Sequence, residues 1–311
     1  MNNSPLASVI IPCYNQGRFL ADAIDSALKQ SYRPREIIVV DDGSTDDSSR
    51  IAAKHADVQL IRQRNCGLAA ARNAGLKASA GDYIVFLDAD DRLLPHALET
   101  GIDRLNVHST CAFAYGTYVL ITEDGMPMPS SRRESVPGEP YLRLLRSNYI
   151  GMHATVIYRR EIFDKIGRFD SSLAACEDYD MFLRITRDHP IYCHRETVAE
   201  YRQHHSNMSR NVGLMLKHSL RVLGSQRKYV RGNRLATEAY RAGVANWRDL
   251  YGKKLLAAVG SRVRLREWKQ AIGGALILLR YYPNGLAHKA ARTAMRMTTR
   301  AQTHFSIKAS R

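Results

Sequence analysis

The residues best suited to chemistry are three carboxylates that follow a short apolar run. Residues 84–87 (IVFL) include β-branched and aromatic members, a pattern that predicts a strand buried on both faces. Asp88, Asp90 and Asp91 come directly after it, and the apolar spacing beyond Pro95 predicts a helix. Open α/β sheets place ligands at the carboxyl ends of strands, and two carboxylates so spaced can bind a hard divalent cation through oxygen. The alternative is a polar turn that caps the next helix, since turns favour Asp.

A second acidic cluster, formed by Glu177, Asp178 and Asp180, begins another predicted helix. Tyr179 and Phe182 lie on its apolar face, which puts the carboxylates in the first turn. A carboxylate in this position could act as the general base that takes the proton from an attacking hydroxyl. Compensation of the helix dipole is the simpler alternative. A helix N-terminus also lowers the pKa of an Asp, so burial or the neighbouring carboxylates would have to offset that effect in a base.

Polar and aromatic residues also follow the first two predicted strands. Tyr14 follows the strand predicted at 7–13, and Asp41 and Asp42 follow the strand predicted at 36–40. Neither a GxGxxG fingerprint nor a P-loop is present, so a bound diphosphate would need another source of positive charge, such as a metal on Asp88 and Asp90. Tyr14 could stack on a base, and the two aspartates could accept hydrogen bonds from a base or ribose. Each could also be an ordinary rim or turn residue, but together they predict a nucleotide site.

The elements that would position these residues indicate an α/β protein. Four apolar segments, at 7–13, 36–40, 58–61 and 84–87, alternate with four helical patterns, which predicts a mostly parallel, doubly wound sheet. Residues 113–121 and 197–201 predict further strands. Residues 123–140 hold four of the ten prolines together with Arg132 and Arg133, which predicts a long loop.

Four motifs in order resemble the family 2 glycosyltransferases of the GT-A fold. They are residues 9–15 (VIIPCYN), 40–46 (VDDGSTD), 65–73 (NCGLAAARN) and 88–91 (DADD), within a resemblance that covers about residues 7–210. The resemblance implies a nucleotide-diphospho-sugar transferase fold whose donor site includes Pro12, Tyr14, Asp41, Asp42, Arg72, Asp88 and Ala89. It implies that Mn²⁺ or Mg²⁺ is bound by Asp88, Asp90 and His204. His204 fits the register of the family's closing Arg-x-His motif, and His205 is one residue away from it.

The resemblance also implies roles in the reaction. Asp178 is the implied base, with Glu177 beside it as an acceptor ligand or helper, and residues 166–170 (IGRFD) resemble the family segment that precedes the catalytic acid. The implied activity moves a sugar from a nucleotide-sugar donor, expected to be UDP-linked, to a hydroxyl of a saccharide or lipid-linked saccharide. Such an enzyme would serve cell-surface polysaccharide or glycolipid biosynthesis. Direct in-line attack would invert the anomeric centre, as it does in inverting hydrolases.

The charge distribution divides the chain near residue 210. The formal net charge of +16 is uneven, since residues 211–311 carry 21 Lys and Arg and three acidic residues, whereas residues 1–210 are nearly neutral. This predicts a catalytic domain at 1–210 and a basic helical region at 211–311. Apolar residues at helical spacing in that region, through Leu216 and Leu276, are typical of core packed against the rest of a protein. The excess charge could contact an anionic membrane surface or nucleic acid, and no nucleic-acid-binding motif favours the second.

Other features bear on the location and on alternative functions. No signal-peptide pattern begins the sequence, and the apolar run at 275–279 is far shorter than the roughly 20 residues of a membrane span. Five scattered cysteines indicate reduced thiols. We therefore expect a cytoplasmic protein that contacts the inner face of the membrane peripherally. The alternatives are a nucleic-acid-binding protein that acts through its basic tail and a metal-dependent phosphoryl-transfer enzyme, neither of which requires Tyr14 with Asp41 and Asp42.

Overall fold

The computed structural model describes residues 4–129 and 138–287, so Arg132 and Arg133 of the predicted loop lie outside the described residues. Within these ranges the chain forms one eight-stranded sheet and ten α-helices, and residues 283–287 are also helical. The strands are β1 (Ala7–Cys13), β2 (Arg35–Asp41), β3 (Val58–Arg62), β4 (Tyr83–Phe86), β5 (Arg92–Leu93), β6 (Phe113–Ile121), β7 (Val156–Arg159) and β8 (Ile191–Arg202). The helices are α1 (Gly17–Leu28), α2 (Ser48–Ala52), α3 (Leu68–Ala78), α4 (Ala97–Val107), α5 (Pro140–Arg146), α6 (Glu161–Ile166), α7 (Glu177–Thr186), α8 (Val212–Gln226), α9 (Arg234–Arg264) and α10 (Trp268–Tyr281).

The order of the strands creates the crevice in which a ligand can bind. The sheet runs β3-β2-β1-β4-β7-β6-β8-β5, and β2 and β4 flank β1 in parallel on opposite sides. The chain order therefore reverses between β1 and β4, where doubly wound sheets open a crevice at the carboxyl ends of the strands. Pairing of β1 with β4 stops at Ile10 and Phe86, so Pro12 lies beyond it and its missing N–H breaks no bond to β4. The predicted mostly parallel α/β sheet is confirmed.

The second half of the sheet brings a distant strand back to the acidic turn. β7 is antiparallel to both β4 and β6, and β6 is parallel to β8. The two residues of β5 pair with Ala199 and Glu200 of β8. No sequence pattern predicted β5, and α4 begins at Ala97, two residues after Pro95. β5 fastens the segment that follows the acids to the strand that leads to His204.

Aromatic side chains fill the core beneath β4. The ring of Phe86 packs edge-on against Tyr158, Phe163 and Phe169, with centroid distances of 6.1, 6.0 and 5.0 Å. On the other face of the sheet, alternate residues such as Val9 are buried against the opposite helix layer. Because both faces are covered, the central strands consist of continuous apolar runs, which is why the sequence predicted them.

The helices that follow residue 210 continue the core of the sheet domain. Trp247 of α9 packs edge-on against Tyr179 of α7 at 5.7 Å, and its ring nitrogen donates to the Tyr179 hydroxyl at 3.4 Å. Gly243 lies so close to α5 that a β-carbon there would be 1.8 Å from the carbonyl oxygen of Leu145. Buried contacts therefore run across residue 210. The division of the chain into two domains at that residue remains a prediction.

The outer tail helices form a smaller cluster with one open face. Leu216 is buried, as expected, and it packs together with Leu278. The expectation that the stripe through Leu276 packs as core was wrong in the described part of the chain, because Ile272, Leu276 and Leu279 are exposed. α10 contacts its neighbours through one side and leaves the side bearing these residues open. No helix within the described ranges is long and apolar enough to cross a membrane.

Candidate active site

The acidic turn lies directly after β4, beside the crevice. The backbone N–H of Asp91 donates to the carbonyl of Asp88 at 3.0 Å and closes the turn. Asp91 is buried and accepts the backbone N–H of Arg202 at 2.9 Å. Burial, and then the negative charges of Asp90 and Asp88, raise the pKa of Asp91. Asp91 thus anchors the turn to β8. The more accessible carboxylates of the turn are those of Asp88, which is 36% exposed, and Asp90, which is 16% exposed.

His204 lies against the second of these carboxylates. Its Nε2 is 2.9 Å from Oδ2 of Asp90, and its Nδ1 is 2.8 Å from the Ser206 hydroxyl. The ring packs on Phe19 of α1 with a centroid distance of 4.8 Å. His205 is 83% exposed and lies 4.0 Å from Glu123. The two adjacent histidines therefore differ in position, and His204 is the one that meets the acidic turn.

Arg202 is a buried residue to which the sequence analysis assigned no role. Its guanidinium donates to the carbonyl oxygens of Asp90 at 2.9 Å and Glu123 at 2.7 Å, and to the carboxylate of Asp22 at 2.7 Å. These bonds hold the backbone of Asp90 in place from the end of β8. Arg202 is the arginine of the Arg-x-His motif, and its place two positions before a candidate ligand was the signal for such a role.

Arg72 joins the two acidic clusters. This side chain of α3 is 2% exposed and donates from Nη2 to Oδ1 of Asp88 at 2.6 Å and from Nη1 to Oε1 of Glu177. Within the described residues, its Nε and the other carboxylate oxygen of Glu177 have no hydrogen-bond partner. The turn after β4 and the start of α7, about ninety residues apart in sequence, thus meet at one guanidinium.

The carboxylates at the start of α7 have raised pKa values. Cys176 precedes the helix with a left-handed φ of 62°, a conformation that non-glycine residues seldom adopt, so the chain enters α7 through a sharp turn. Burial raises the pKa of Glu177 to about 7, although Arg72 opposes this shift. Burial also raises the pKa of Asp178, again against Arg72. Desolvation therefore outweighs the helix-terminus effect, which alone would weaken Asp178 as a base.

The ends of β1 and β2 form the other wall of the crevice. Tyr14 is 48% exposed at the end of β1. Asp42 accepts three hydrogen bonds, from Gln63 at 2.6 Å and from the backbone N–H groups of Cys66 at 2.9 Å and Gly67 at 2.8 Å. A carboxylate has about four acceptor positions, so Asp42 mainly holds the loop that leads into α3 and has little capacity left for a ligand.

Asp41 is likewise engaged within the protein. It accepts the backbone N–H of Ser44 at 2.9 Å and the hydroxyl of Ser49. Burial opposes ionisation, but the hydrogen bonds outweigh it and lower the pKa of Asp41. Both aspartates therefore hold the turn after β2 in place, in addition to any contact they make with a nucleotide-sugar donor.

The predicted site residues differ in accessibility. Tyr14 is exposed, Asp88, Asp90 and Asp178 are partly buried, and the buried set consists of Pro12, Asp41, Asp42, Arg72, Ala89, Glu177 and His204. Direct contacts join Arg72 to both Asp88 and Glu177, and Asp90 to His204. The roles of these residues in binding and catalysis remain predictions.

The donor atoms at the acidic turn fit a Mn²⁺ or Mg²⁺ ion completed by a substrate. Among residues 4–129 and 138–287, no three His, Cys, Asp or Glu side chains converge as a ready-made metal site. Such ions commonly take one or two carboxylates and fill the other positions with water and substrate phosphates. Asp90 Oδ2 and His204 Nε2 are 2.9 Å apart, close to the separation of adjacent ligands in an octahedron with bonds of about 2.1 Å. Asp88 adds a partly exposed carboxylate beside them.

Comparison with solved structures shows the fold. S. aureus TarS 1-349 in complex with UDP-GlcNAc superposes with a TM-score of 0.62 at 19% identity, covering 86% of this chain and 79% of that one. The Pyrobaculum calidifontis mannosyltransferase PcManGT, in complex with GDP-Man and Mn²⁺, gives a TM-score of 0.56 at 15% identity and covers 89% and 86% of the two chains. The predicted GT-A fold with a helical C-terminal extension is therefore confirmed.

Comparison of sequences identifies the family. A Rickettsia prowazekii protein named as an uncharacterized glycosyltransferase is 36% identical over 65% of each chain. TuaG of Bacillus subtilis, named as a putative glycosyltransferase of teichuronic acid biosynthesis, is 31% identical over 68% of this chain and 84% of its own. The chain spans 31% to 65% of the length of five rickettsial relatives. The profile of glycosyl transferase family 2 matches residues 8–167. The chain therefore belongs to glycosyl transferase family 2.

Proposed function

We propose that this protein is a metal-dependent inverting glycosyltransferase that moves a sugar from a UDP-sugar to a hydroxyl acceptor. The observation that carries the proposal is the pair of contacts from Arg72 to Asp88 and Glu177. These contacts put the candidate metal turn and the candidate base in one site, at the crevice of the sheet. A nucleic-acid-binding protein that acts through its tail would not need this arrangement.

The donor is proposed to lie across the ends of β1, β2 and β4. Tyr14 offers an exposed ring on which a base can stack, a contact that contributes roughly 1–3 kcal/mol with single-stranded nucleic acids. Asp41 and Asp42 hold the loops around it and leave one or two acceptor positions for ribose or base donors. The choice of UDP is supported by the complexes of TarS with UDP and with UDP-GlcNAc.

Mn²⁺ or Mg²⁺ would be held by Asp88, Asp90 and His204, and would supply positive charge that neutralises the leaving diphosphate. Arg202 fixes the backbone of Asp90, and Ser206 orients the His204 ring so that Nε2 faces the carboxylate. The complex of PcManGT with Mn²⁺ supports the choice of metal.

Asp178 is proposed to take the proton from the acceptor hydroxyl as its oxygen attacks the anomeric carbon. A base works best when its pKa is near the working pH, and burial raises the pKa of Asp178 in that direction. Glu177 shares the guanidinium of Arg72 with Asp88 and positions the start of α7. Attack opposite to the leaving diphosphate inverts the anomeric centre.

The acceptor is proposed to be a saccharide or lipid-linked saccharide in cell-surface polysaccharide or glycolipid biosynthesis. The names of two relatives support this: TuaG, named for teichuronic acid biosynthesis, and the Escherichia coli chondroitin synthase, 30% identical over 60% of this chain. The proposed location is the cytoplasm, peripherally at the inner face of the membrane.

The test is a screen of nucleotide sugars with Mn²⁺, in which release of the nucleoside diphosphate is followed with and without saccharide acceptors. One UDP-sugar should turn over, and Asp178→Asn should lower transfer by roughly 10²–10⁴-fold while UDP binding, measured by calorimetry with Mn²⁺, is kept. Asp90→Asn should abolish transfer. Asp57→Asn, a change at an exposed aspartate outside the site, is the control and should behave as the wild type.

Two results would contradict the proposal. Full turnover in EDTA would exclude the metal. Loss of UDP binding in Asp178→Asn, with the rate of bound donor intact, would exclude Asp178 as the base.

A further inference from the structure

The open side of α10 carries an apolar stripe, which we define as Trp268, Ile272, Leu276 and Leu279. Their side chains are 57% to 62% exposed in the described part of the chain. At about 100° per residue, the four positions fall within an arc of roughly 80° on the helix surface. α10 packs on α8 and α9 through Ala271, Gly274 and Leu278, which lie on the opposite side. Four large apolar residues on one exposed arc form a contiguous patch of the kind that marks an interaction site.

Basic residues lie along one side of this stripe and just before it. Lys269 and Arg280 follow the arc on one side, Arg264 is the last residue of α9, and Arg266 lies in the turn before α10. Within the described residues, none of these four forms an ion pair with a carboxylate. The three acidic side chains of the tail are already paired, each with a nearby basic residue: Glu238 with Arg234, Asp249 with Lys253 and Glu267 with Arg262.

We propose that the apolar stripe of α10 docks into the surface of an anionic lipid bilayer, with the flanking basic residues on the headgroups. An amphipathic helix with Trp and Leu on one side and Lys and Arg at its margins is the form that lies in the plane of a membrane surface. A second copy of the chain would bring the same unpaired positive charges against this face, and like charges repel. The bilayer supplies both the opposite charge and an apolar interior.

Through a side that does not bear the stripe, α10 packs against the start of α8. A β-carbon on Gly213, in the first turn of α8, would lie 3.1 Å from Cδ1 of Ile277 of α10. α8 begins eight residues after His204. The inference rests on the proposed peripheral location, and it names the surface and the mode of contact.

The experiment measures sedimentation of the full chain with vesicles of phosphatidylcholine alone and of phosphatidylcholine with phosphatidylglycerol. The wild type should bind the anionic vesicles. The stripe variant, Ile272→Gln with Leu276→Gln, should weaken binding at least about tenfold, since it removes apolar area that enters the bilayer. The control, Val107→Gln, changes an apolar residue that is 74% exposed on α4 and should bind as the wild type does.

A second pair of variants tests the charges. The charge variant, Lys269→Gln with Arg280→Gln, should lower affinity at low salt by roughly fivefold for each residue, and by less at physiological salt. The matched control, Lys54→Gln with Lys77→Gln, removes two exposed charges elsewhere and should have little effect. Arg262 is kept because it pairs with Glu267.

Several outcomes would overturn the inference. If the charge variant binds weakly but the stripe variant binds as the wild type does, contact is electrostatic and the stripe stays in water. If vesicles do not bind and light scattering shows a dimer that the stripe variant abolishes, the stripe is a contact between copies. If the wild type neither binds vesicles nor dimerises, the stripe is not a membrane surface. Tight binding to DNA without vesicle binding would assign the charge to nucleic acid. Sugar transfer by the stripe variant to a soluble acceptor is measured separately, so that a failure of membrane docking can be told apart from a failure of the proposed activity.

Discussion

Replacing Arg72 with methionine tests whether one guanidinium balances the acidic site. The side chain is 2% exposed, and it contacts Asp88 on one side and Glu177 on the other. Arg72→Met keeps much of the length of the side chain but removes the charge and five donors. We expect the protein to fold and to be less stable, by an amount that depends on pH.

The magnitude follows from the burial of the two partners. Removing one member of a buried ion pair costs about 3–5 kcal/mol, because a buried charge is left without a partner. The Asp88 side chain is 36% exposed, so its contact with Arg72 contributes no more than about 1 kcal/mol. The larger share comes from Glu177, which is 4% exposed.

Glu177 makes the loss depend on pH. The pKa of Glu177 in the folded protein is about 7, above its ordinary value of 4.5. The free energy of unfolding therefore falls as pH rises from the ordinary value to about 7, because the unfolded state loses the proton first. Without Arg72 the pKa of Glu177 rises further, and stability continues to fall above pH 7, by at most about 1.4 kcal/mol per pH unit. Arg72→Met should therefore be clearly more destabilising at pH 8.5 than at pH 6.

Urea unfolding monitored by tryptophan fluorescence measures the effect, with Glu177→Gln and the double variant completing a cycle. Because Gln does not titrate, the double variant should lose the part of the extra pH dependence that comes from Glu177, with a coupling energy of about 1–3 kcal/mol at pH 8.5. Additive losses, or a loss of equal size at pH 6 and pH 8.5, would refute the account of Arg72 as the counter-charge of Glu177.

Two further predictions concern parts of the protein outside the reacting groups. His153 is buried among aromatic rings, and burial, together with the charge of Arg72, holds its pKa well below the ordinary value. Unfolding at low pH therefore takes up a proton, so the free energy of unfolding should fall as pH drops below about 6.5. His153→Gln should flatten this fall in unfolding measured from pH 7 to pH 5, and an unchanged slope would contradict it. Gly243→Ala should destabilise the protein by about 1–3 kcal/mol or more, because the new β-carbon meets the Leu145 backbone. The control, Gly273→Ala, has open space around it and should be neutral or slightly stabilising. Equal effects of the two changes in urea unfolding would contradict the packing of Gly243 against Leu145.

The sequence predicted the central strands and the start of α7 because their signals are local. β1, β2 and β4 are apolar on both faces, and each is followed by polar residues, so the runs and their ends can be read directly. β5 has two residues and no pattern of its own, and it exists because β8 lies beside it. The antiparallel direction of β7 is also set by its neighbours in the sheet.

The connections within the site could not be predicted in the same way. Arg72 and Glu177 are 105 residues apart, and no periodicity relates them. Arg202 reaches Asp22 across 180 residues. The residue types at the site followed from motifs, but the partner of each residue depends on how the sheet is assembled.

The tail shows a different limit. The helical period identified apolar faces through Leu216 and Leu276 equally well, yet Leu216 is fully buried and Leu276 is exposed. Periodicity reveals which side of a helix is apolar, whereas the layer that covers it depends on the position of the helix in the fold. Within the described residues, α10 packs on α8 and α9 through one side only.

The charges of the site bear on how a donor can bind. Asp88, Glu177 and Asp178 share one guanidinium, that of Arg72, and Asp90 and Asp91 lie in the same turn as Asp88. Arg202 adds a second positive charge, but its carboxylate partner is Asp22. A diphosphate that approaches this turn meets an excess of negative charge, and the sequence has no glycine-rich phosphate loop to supply backbone donors in its place. Donor binding is therefore expected to require a divalent cation.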